Sequence, residues 1–381
     1  MNPITLLQPP RLVFGSGCAS QCPEFFAQRG LRRVFLVSSS PVLPQLDSLA
    51  GALRQAGGEV IHSRPVDREP TREMFEQILA DAKAAHINAV LGVGGGSPLD
   101  VAKLVAALAR GTQAVTEIFG INLLRGRELP LVCLPTTAGT GSEVSPNAIL
   151  LDDADQLKKG VISPQLVPDA AFVDPLLTHS VPAPVTAATG LDALTHCIEA
   201  YANKFAHPIT DLYALQGIRL ISGNLLRAVQ NGGDAEARAK LALGSLYGGL
   251  CLGPVNTAAV HALAYPLGSR FKIAHGVSNA VLLPNVLRFN FSAAPERYAE
   301  VAMALGVERD GTAPAIAESG VKRLAALSRA CGVPQRLSDL GVPREAIPEM
   351  ARAALQVTRL LNNNLRPVTE PDAINIYEST Y

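Results

Sequence analysis

Four side chains that can bind a metal ion occur in three separate segments of the second half of the chain. Asp192 and His196 lie four residues apart in LDALTHCIEAYA, His261 lies in NTAAVHALAYPLG, and His275 precedes a glycine in KIAHGVSN. If the first segment is helical, Asp192 and His196 project from one face about one turn apart. One carboxylate and three imidazoles can hold ferrous iron or zinc and leave a coordination position open for a substrate oxygen. Spacing does not join the three segments, so each histidine alone could instead be a hydrogen-bonded core residue.

A glycine-rich turn between a predicted strand and a predicted helix, LGVGGGSPLDVAK, is a second candidate site. Three consecutive glycines let the backbone approach a bulky anion, and a helix N-terminus offers unpaired N–H groups to a phosphate. Ser97 is predicted to cap this helix and Pro98 to occupy its first position. The motif is neither GxGxxG nor GxxxxGK[ST], so a tight turn that binds no ligand remains the alternative.

A third segment, PTTAGTGSEVS, follows the apolar run LPLVCLP. Its hydroxyl groups are predicted to lie at the carboxyl edge of a parallel sheet, where ligands of open α/β sheets bind. A polar loop held by local side-chain turns is the alternative interpretation.

The elements that must position these residues change in character along the chain. Short apolar runs, RRVFLVS, GEVIHS, AVLGV, LPLVCLP and AAFVD, alternate with amphipathic stretches, which indicates a parallel sheet covered on both faces. Beyond the proline-rich segment THSVPAPVTAATG, helical periodicity dominates. We therefore expect an α/β dinucleotide-binding domain over residues 1–180 and an all-α metal-binding and substrate domain over 181–381.

Charge and composition exclude several classes of partner. The 381 residues contain 33 basic and 33 acidic side chains, a balance that argues against a nucleic-acid or acidic-membrane partner. No apolar run approaches the roughly 20 residues needed to cross a bilayer, and no signal peptide is recognisable. Six scattered cysteines without a CxxC motif are typical of reduced thiols in a cytoplasmic protein.

The motifs GGGSPLDVAK, PTTAGTGSEVS, GLDALTHCIEAY and VHALAYPLGSRFKIAHGVSNAVLLPNVLRFN resemble the signatures of the iron-containing alcohol dehydrogenases. That family includes lactaldehyde reductases, 1,3-propanediol dehydrogenases and butanol dehydrogenases. The resemblance extends over nearly the whole chain, to NNNLRPVTEPDAINIY. It implies a metal-dependent alcohol dehydrogenase or aldehyde reductase that passes a hydride between NAD or NADP and a small alcohol or aldehyde. It also implies a homodimer, and ferrous iron as the expected metal with zinc as the alternative.

The resemblance carries site roles to matching positions of this chain. The metal ligands implied are Asp192, His196, His261 and His275. The cofactor-binding residues implied are Gly94, Gly95, Gly96, Ser97, Asp100, Thr136, Thr137, Thr140 and Lys158, the last of which would reach the cofactor ribose.

Two positions depart from the family pattern. Tyr265 stands four residues after His261, where the family commonly has a second histidine proposed to relay protons. Tyr265 is therefore a candidate catalytic residue beside His275, with a packed aromatic ring as the alternative. Ser39 stands where many NAD-preferring members have an aspartate at the adenosine ribose. Because serine would not repel a 2′-phosphate, the sequence leaves NADP use open.

Other functions remain as alternatives. Dehydroquinate-synthase-like lyases and glycerol-1-phosphate-dehydrogenase-like enzymes share the expected architecture, but a phosphorylated or highly polar substrate would need basic residues around the metal. The segment GLCLGPVNTAAVHALAYPLG contains none, which favours a small and fairly neutral alcohol. A non-enzymatic dinucleotide- or metal-binding protein is the more remote alternative.

Overall fold

The computed structural model describes residues 3–154 and 157–381, and their internal packing separates two compact units. The α/β unit contains Leu6–Thr137 and Gly141–Ser180. The helical unit contains Val181–Tyr381 together with Ala138–Thr140 and the N-terminal residues up to Thr5.

The α/β unit is built on a six-stranded sheet in the order β1-β9-β6-β4-β2-β3, and every described strand pair in it is parallel. A second sheet has the order β5-β8-β7, in which β7 and β8 are antiparallel. The strands are β1 (Arg11–Phe14), β2 (Arg33–Val37), β3 (Glu59–His62), β4 (Ala89–Gly94), β5 (Gly120–Ile121), β6 (Leu131–Pro135), β7 (Asn147–Asp152), β8 (Leu157–Ile162) and β9 (Ala170–Val173). The helices are α1 (Cys22–Gln28), α2 (Asp47–Gln55), α3 (Arg72–Ala84) and α4 (Gly96–Leu108).

Apolar side chains cover both faces of the six-stranded sheet, because residues of a strand alternate between faces. Val34 and Leu36 of β2 pack into one buried cluster with the side chains of α1 and α2. Phe35 and Val37 of the same strand pack into another with those of α3 and α4. This arrangement confirms the predicted parallel sheet and explains why its strands appear in the sequence as continuous apolar runs.

The helical unit consists of helices packed around one large apolar core. They are α5 (Ala183–Tyr201), α6 (Pro208–Gln230), α7 (Ala235–Leu252), α8 (Ala259–Phe271), α9 (His275–Asn290), α10 (Pro295–Ala304), α11 (Ala313–Ala330), α12 (Ile347–Leu355), α13 (Thr358–Leu361) and α14 (Glu370–Ser379). In the part of the chain that the structure describes, no helix has both the length and the apolar composition of a membrane span. The predicted change from an α/β to a helical architecture is thus confirmed.

Candidate metal centre and dinucleotide loop

Helix α5 presents a row of polar side chains on one buried face. Asp192, His196 and Glu199 are spaced i, i+4 and i+7, so they lie one above the other along the helix. All three are buried, with 3–5% of their surface exposed. Polar groups this deep in an apolar core must be paired or must bind a ligand, because burying one of them unpaired costs on the order of several kcal/mol.

The structure brings the four predicted metal ligands together. Asp192 Oδ1 lies 3.5 Å from His261 Nε2, 3.7 Å from His275 Nε2 and 3.9 Å from His196 Nε2. In a tetrahedral site with metal–ligand bonds of about 2.1 Å, ligand atoms lie about 3.4 Å apart. Asp192, His261 and His275 alone already have the mutual spacing of a cation site, and His196 lies slightly further out. The donor set and its spacing therefore fit a divalent ion.

The amide nitrogen of Asn279 lies among three of the four ligand atoms. Nδ2 lies 2.6 Å from Asp192 Oδ1, 3.1 Å from His261 Nε2 and 3.3 Å from His275 Nε2. The other amide atom, Oδ1, is buried and has no hydrogen-bond partner among the described residues. An amide group has only two N–H hydrogens to donate, so it cannot satisfy three acceptors at once, and a cation can.

Glu199 fixes both the position and the protonation of His261. Its Oε2 lies 2.6 Å from His261 Nδ1, and its Oε1 accepts a 2.6 Å hydrogen bond from the Val260 backbone N–H. A carboxylate on Nδ1 keeps the proton there and turns the Nε2 lone pair towards the ligand cluster. At the start of α8, the N-cap residue Ala258 has no side-chain acceptor. Glu199 supplies from α5 the acceptor that the start of α8 lacks.

The electrostatic environment couples these groups strongly. Burial raises the pKa of Asp192, but the imidazoles around it outweigh burial and hold the pKa well below its usual range. Burial lowers the pKa of His261, but the Glu199 and Asp192 carboxylates outweigh burial and raise it to about 9. Burial lowers the pKa of His196. The cluster therefore attracts positive charge, either a proton or a metal ion.

One side of the cluster is accessible. The His275 side chain is 34% exposed, whereas the other three ligands are 4–7% exposed. Tyr265 is half-buried, and its ring centroid lies 6.2 Å from that of His275. A substrate can therefore approach the cluster beside these two residues, which are the two candidate catalytic residues of the sequence analysis.

Close backbone packing positions the helices that carry the ligands. Gly276, the residue after His275, lies so near α5 that a Cβ atom there would be 2.6 Å from the Ala188 carbonyl carbon. Gly248 of α7 packs beneath the cluster, where an added Cβ would lie 3.2 Å from the Cβ of His196. Glycine at these positions lets α5, α7 and α9 approach closely enough for their side chains to converge.

In the α/β unit, the glycine turn has the geometry of an anion site. Helix α4 begins at Gly96, and its N-cap residue Gly95 offers no side-chain acceptor, so the first N–H groups of the helix are not capped. The predicted cap is wrong in its position: Ser97 lies inside the first turn and Pro98 follows it. Gly94 has φ +156°, and a Cβ there would lie 2.7 Å from Pro98 Cγ, so only glycine fits.

Lys103 is buried and Asp100 is half-buried, and both fasten α4 to the PTTAGTGSEVS loop and to the start of β7 that follows it. Asp100 accepts hydrogen bonds from Ser142 Oγ (2.5 Å) and the Ile149 N–H (3.0 Å), and burial raises its pKa. Lys103 Nζ donates to the carbonyl oxygens of Ser145 and Asn147, both at 2.8 Å. The two residues are therefore not an ordinary surface pair, and the structure places Asp100 against the loop.

The remaining predicted cofactor residues lie on several different elements. Thr136 is buried and its N–H donates to the Gly94 carbonyl (2.9 Å), while Thr137 lies near Gly95. Thr140 belongs to the helical unit. Lys158 has a nearly buried side chain, and its Nζ forms a 2.5 Å ion pair with Glu69. Ser39 lies in the turn after β2 and is half-buried.

Two residues of the metal centre were missed by the sequence analysis, although the sequence carries a signal for each. Glu199 follows Asp192 by seven residues and His196 by three, which places it on the same helical face. Asn279 follows His275 by four residues on α9. Extending the helical spacing beyond each predicted ligand would have found both.

Comparisons with known proteins match the whole length of the chain. A family model described as iron-containing alcohol dehydrogenase matches residues 9–175, and the C-terminal model of the Fe-containing alcohol dehydrogenase family matches residues 186–381. Long-chain-alcohol dehydrogenase 1 of Geobacillus thermodenitrificans (strain NG80-2) is 39% identical, with 100% of this chain and 98% of the relative covered. The 1,3-propanediol dehydrogenase of Citrobacter freundii is 38% identical, with 98% of each covered. A crystal structure of 1,3-propanediol oxidoreductase has 35% identity and a TM-score of 0.96, with 100% of both chains covered.

Proposed function

The chain belongs to the iron-containing alcohol dehydrogenase family and is a metal-dependent alcohol or aldehyde oxidoreductase; from this premise we propose that it interconverts small alcohols and their aldehydes. The observation that supports this best is the convergence of Asp192, His196, His261 and His275, with Glu199 behind His261. A carboxylate and three imidazoles suit ferrous iron, with zinc as the alternative.

The residues of the helical unit have distinct roles in this proposal. A bound divalent ion supplies a Lewis acid for the alcohol or carbonyl oxygen. Asp192 supplies the only negative charge among the four ligands, and Glu199 keeps His261 oriented through Nδ1. Tyr265 borders the accessible side next to His275, where its hydroxyl can donate a hydrogen bond to the substrate oxygen.

The residues of the α/β unit bind the dinucleotide in this proposal. The nicotinamide cofactor supplies the hydride chemistry. The uncapped N–H groups at the start of α4 hold the pyrophosphate, and the absence of side chains at Gly94, Gly95 and Gly96 allows close approach. Lys103 and Asp100 hold the adjoining loop against α4, which keeps Thr136 and Thr137 next to the turn. We also propose that the protein is a homodimer and is located in the cytoplasm.

The basic side chains that follow His261 do not favour a phosphorylated substrate. The first basic residues after His261 are Arg270 and Lys272. Arg270 forms an ion pair with Glu349 (2.7 Å), and Lys272 Nζ donates to the Ser269 carbonyl oxygen (3.0 Å). Both cations thus already have partners, which favours a neutral alcohol or aldehyde over the substrates of the lyase-like alternatives.

Metal dependence is tested by removing and restoring the ion. We expect a chelator to abolish aldehyde reduction and ferrous iron or zinc to restore it, over a panel of aldehydes from short to long chains with NADH and NADPH. His261→Ala should prevent restoration, whereas His62→Ala, an exposed histidine of β3, should leave it intact. Activity that survives chelation unchanged would rule out the proposed role of the cluster.

The contribution of Tyr265 is tested with Tyr265→Phe, which keeps the ring and removes the hydroxyl. We expect kcat to fall by about 10-fold or more, in the range of a lost hydrogen bond or proton relay, and the pH profile of kcat to change. An unchanged rate and profile would assign Tyr265 to packing alone.

A further inference from the structure

The carboxyl ends of three neighbouring strands meet at the edge that carries the glycine turn. β2 and β4 are parallel neighbours, with Val37 opposite Gly92, so Ser39 and Gly94 leave the sheet at the same level. The chain after β3 also reaches this edge, because the Val66 N–H donates to the Ser38 carbonyl oxygen (2.9 Å). The segment containing Asp67 therefore runs beside the turn after β2.

Asp67 is held in that turn by two hydrogen bonds. Its Oδ1 accepts from the Ser40 backbone N–H at 2.6 Å, and its Oδ2 accepts from the Ser40 hydroxyl at 2.7 Å. The side chains are exposed, so the two bonds fix the carboxylate without burying it. Each carboxylate oxygen has a further lone pair that can accept from a ligand hydroxyl.

The charge of Asp67 is not neutralised by a neighbouring cation. Within residues 3–154 and 157–381, no basic side chain forms an ion pair with it. Arg64 is paired instead with Asp81 at 2.7 Å. Arg68 follows Asp67 directly and is exposed. The turn therefore presents a fixed negative charge beside an exposed positive one.

We propose that Asp67 selects NAD over NADP by supplying the ribose-binding carboxylate that Ser39 lacks. In dinucleotide-binding sheets, an acidic group beyond the strand next to the glycine turn binds the ribose hydroxyls and repels a 2′-phosphate. Here the carboxylate comes from the loop after β3 and is bound to the residue after Ser39. This inference rests on the proposed use of a nicotinamide dinucleotide, and it resolves in favour of NAD the choice that serine alone leaves open.

The test compares binding of NAD⁺ and NADP⁺ to the full-length protein by isothermal titration calorimetry. We expect wild type to bind NAD⁺ more tightly. Asp67→Asn should shift the preference towards NADP⁺ by about two- to fivefold, the scale of one exposed charge pair. Ser40→Ala removes one of the two hydrogen bonds that hold the carboxylate. It should shift the cofactor preference towards NADP⁺ as well, but by less than Asp67→Asn does.

Glu59→Gln is the matched control. Glu59 begins β3 at the opposite edge of the sheet, where it pairs with Arg33, and its removal changes the net charge by the same amount. The preference should not move in this variant. Thermal unfolding of each variant checks that it is folded.

The outcomes separate this inference from the proposed function. Wild type that prefers NADP⁺, or an Asp67→Asn variant with an unchanged preference, overturns the role of Asp67 even if aldehyde reduction is robust. Wild type that binds neither dinucleotide overturns the proposed function and the inference together.

Discussion

At the scale of single residues, the metal centre depends on side chains that each make two contacts. Glu199 is the clearest case, since one carboxylate oxygen binds a histidine ring and the other binds a backbone N–H. Such a residue couples the stability of a helix start to the orientation of a ligand. Its replacement should therefore affect two measurable quantities.

Glu199→Ala is expected to weaken Zn²⁺ binding by about 10- to 100-fold, the usual effect of losing a carboxylate behind a ligating histidine. Competition with a chelator of known affinity measures this. Asp211→Ala is the control, because Asp211 pairs with Arg297 (2.7 Å) in the same unit and contacts none of the predicted ligands. It should lower the thermal midpoint and leave Zn²⁺ affinity unchanged. Equal losses of affinity in both variants would mean that Glu199 acts only through stability.

Glu143 is expected to make stability depend on pH. Burial raises its pKa from 4.5 to about 7, so the folded protein retains a proton that the unfolded chain releases. Its contribution is complete below the unfolded pKa and is lost as pH rises through about 7, on the order of 3 kcal/mol in all. Urea unfolding across this range should show the decline in wild type.

Glu143→Gln should flatten this part of the pH dependence, because glutamine carries no titrating proton. Glu24→Gln, an exposed glutamate of α1 in the same unit, should not. If the free energy of unfolding depends on pH with the same slope in all three proteins, the titrating group is not Glu143.

The residues that sequence analysis could relate to one another were those on a single element. Asp192 and His196 share a helical face, so their spacing alone predicts that they project together. His261 and His275 lie on other helices, and no period connects separate helices, so their convergence on Asp192 rested on the family resemblance. Asp67 was missed for the same reason: it reaches the turn after β2 from a different strand connection. The cap predicted at Ser97 failed because the helix starts at Gly96, two residues before the predicted first position Pro98.

At the scale of elements, the site depends on how closely helices α5 and α9 approach. Gly276 removes the side chain at the contact, and the preceding residue is a predicted metal ligand. The approach of two backbones therefore sets the position of His275.

Gly276→Ala is expected to lower the free energy of unfolding by about 1–3 kcal/mol, because the new methyl group meets backbone atoms that cannot move aside easily. It should also weaken Zn²⁺ binding by displacing His275. Gly223→Ala is the matched control: this helical glycine has nothing within 4 Å of an added Cβ. Alanine has a higher helix propensity than glycine, so Gly223→Ala should raise the free energy of unfolding by about 0.5–1 kcal/mol. A Gly276→Ala variant that keeps both the stability and the Zn²⁺ affinity of wild type would contradict this packing argument.

At the scale of the whole molecule, each unit carries its own set of ligand-binding groups. The four predicted metal ligands belong to the helical unit, and the glycine turn belongs to the α/β unit. Hydrogen exchange should therefore distinguish the two ligands by where each one protects the backbone.

Saturating Zn²⁺ is expected to slow exchange most in α5, α8 and α9, and NAD⁺ to slow it most at the start of α4. A ligand at 100 times its dissociation constant stabilises the state it binds by about 2.7 kcal/mol. Peptide-resolved mass spectrometry measures the effect, with α11 as an internal reference. Zn²⁺ that protects the glycine turn more than α5 would contradict the assignment of the metal centre.

The path of the chain also limits how the protein can be recombined with its relatives. The polypeptide passes from one unit to the other at four points, after Thr5, Thr137, Thr140 and Ser180. Gly139 packs so tightly in the helical unit that an added Cβ would lie 2.7 Å from Thr189 Cβ. A gene fusion made only at residue 181 would combine residues 138–140 of one parent with the helices of the other parent. A chimera is expected to fold best when residues 138–140 are inherited together with the helical half.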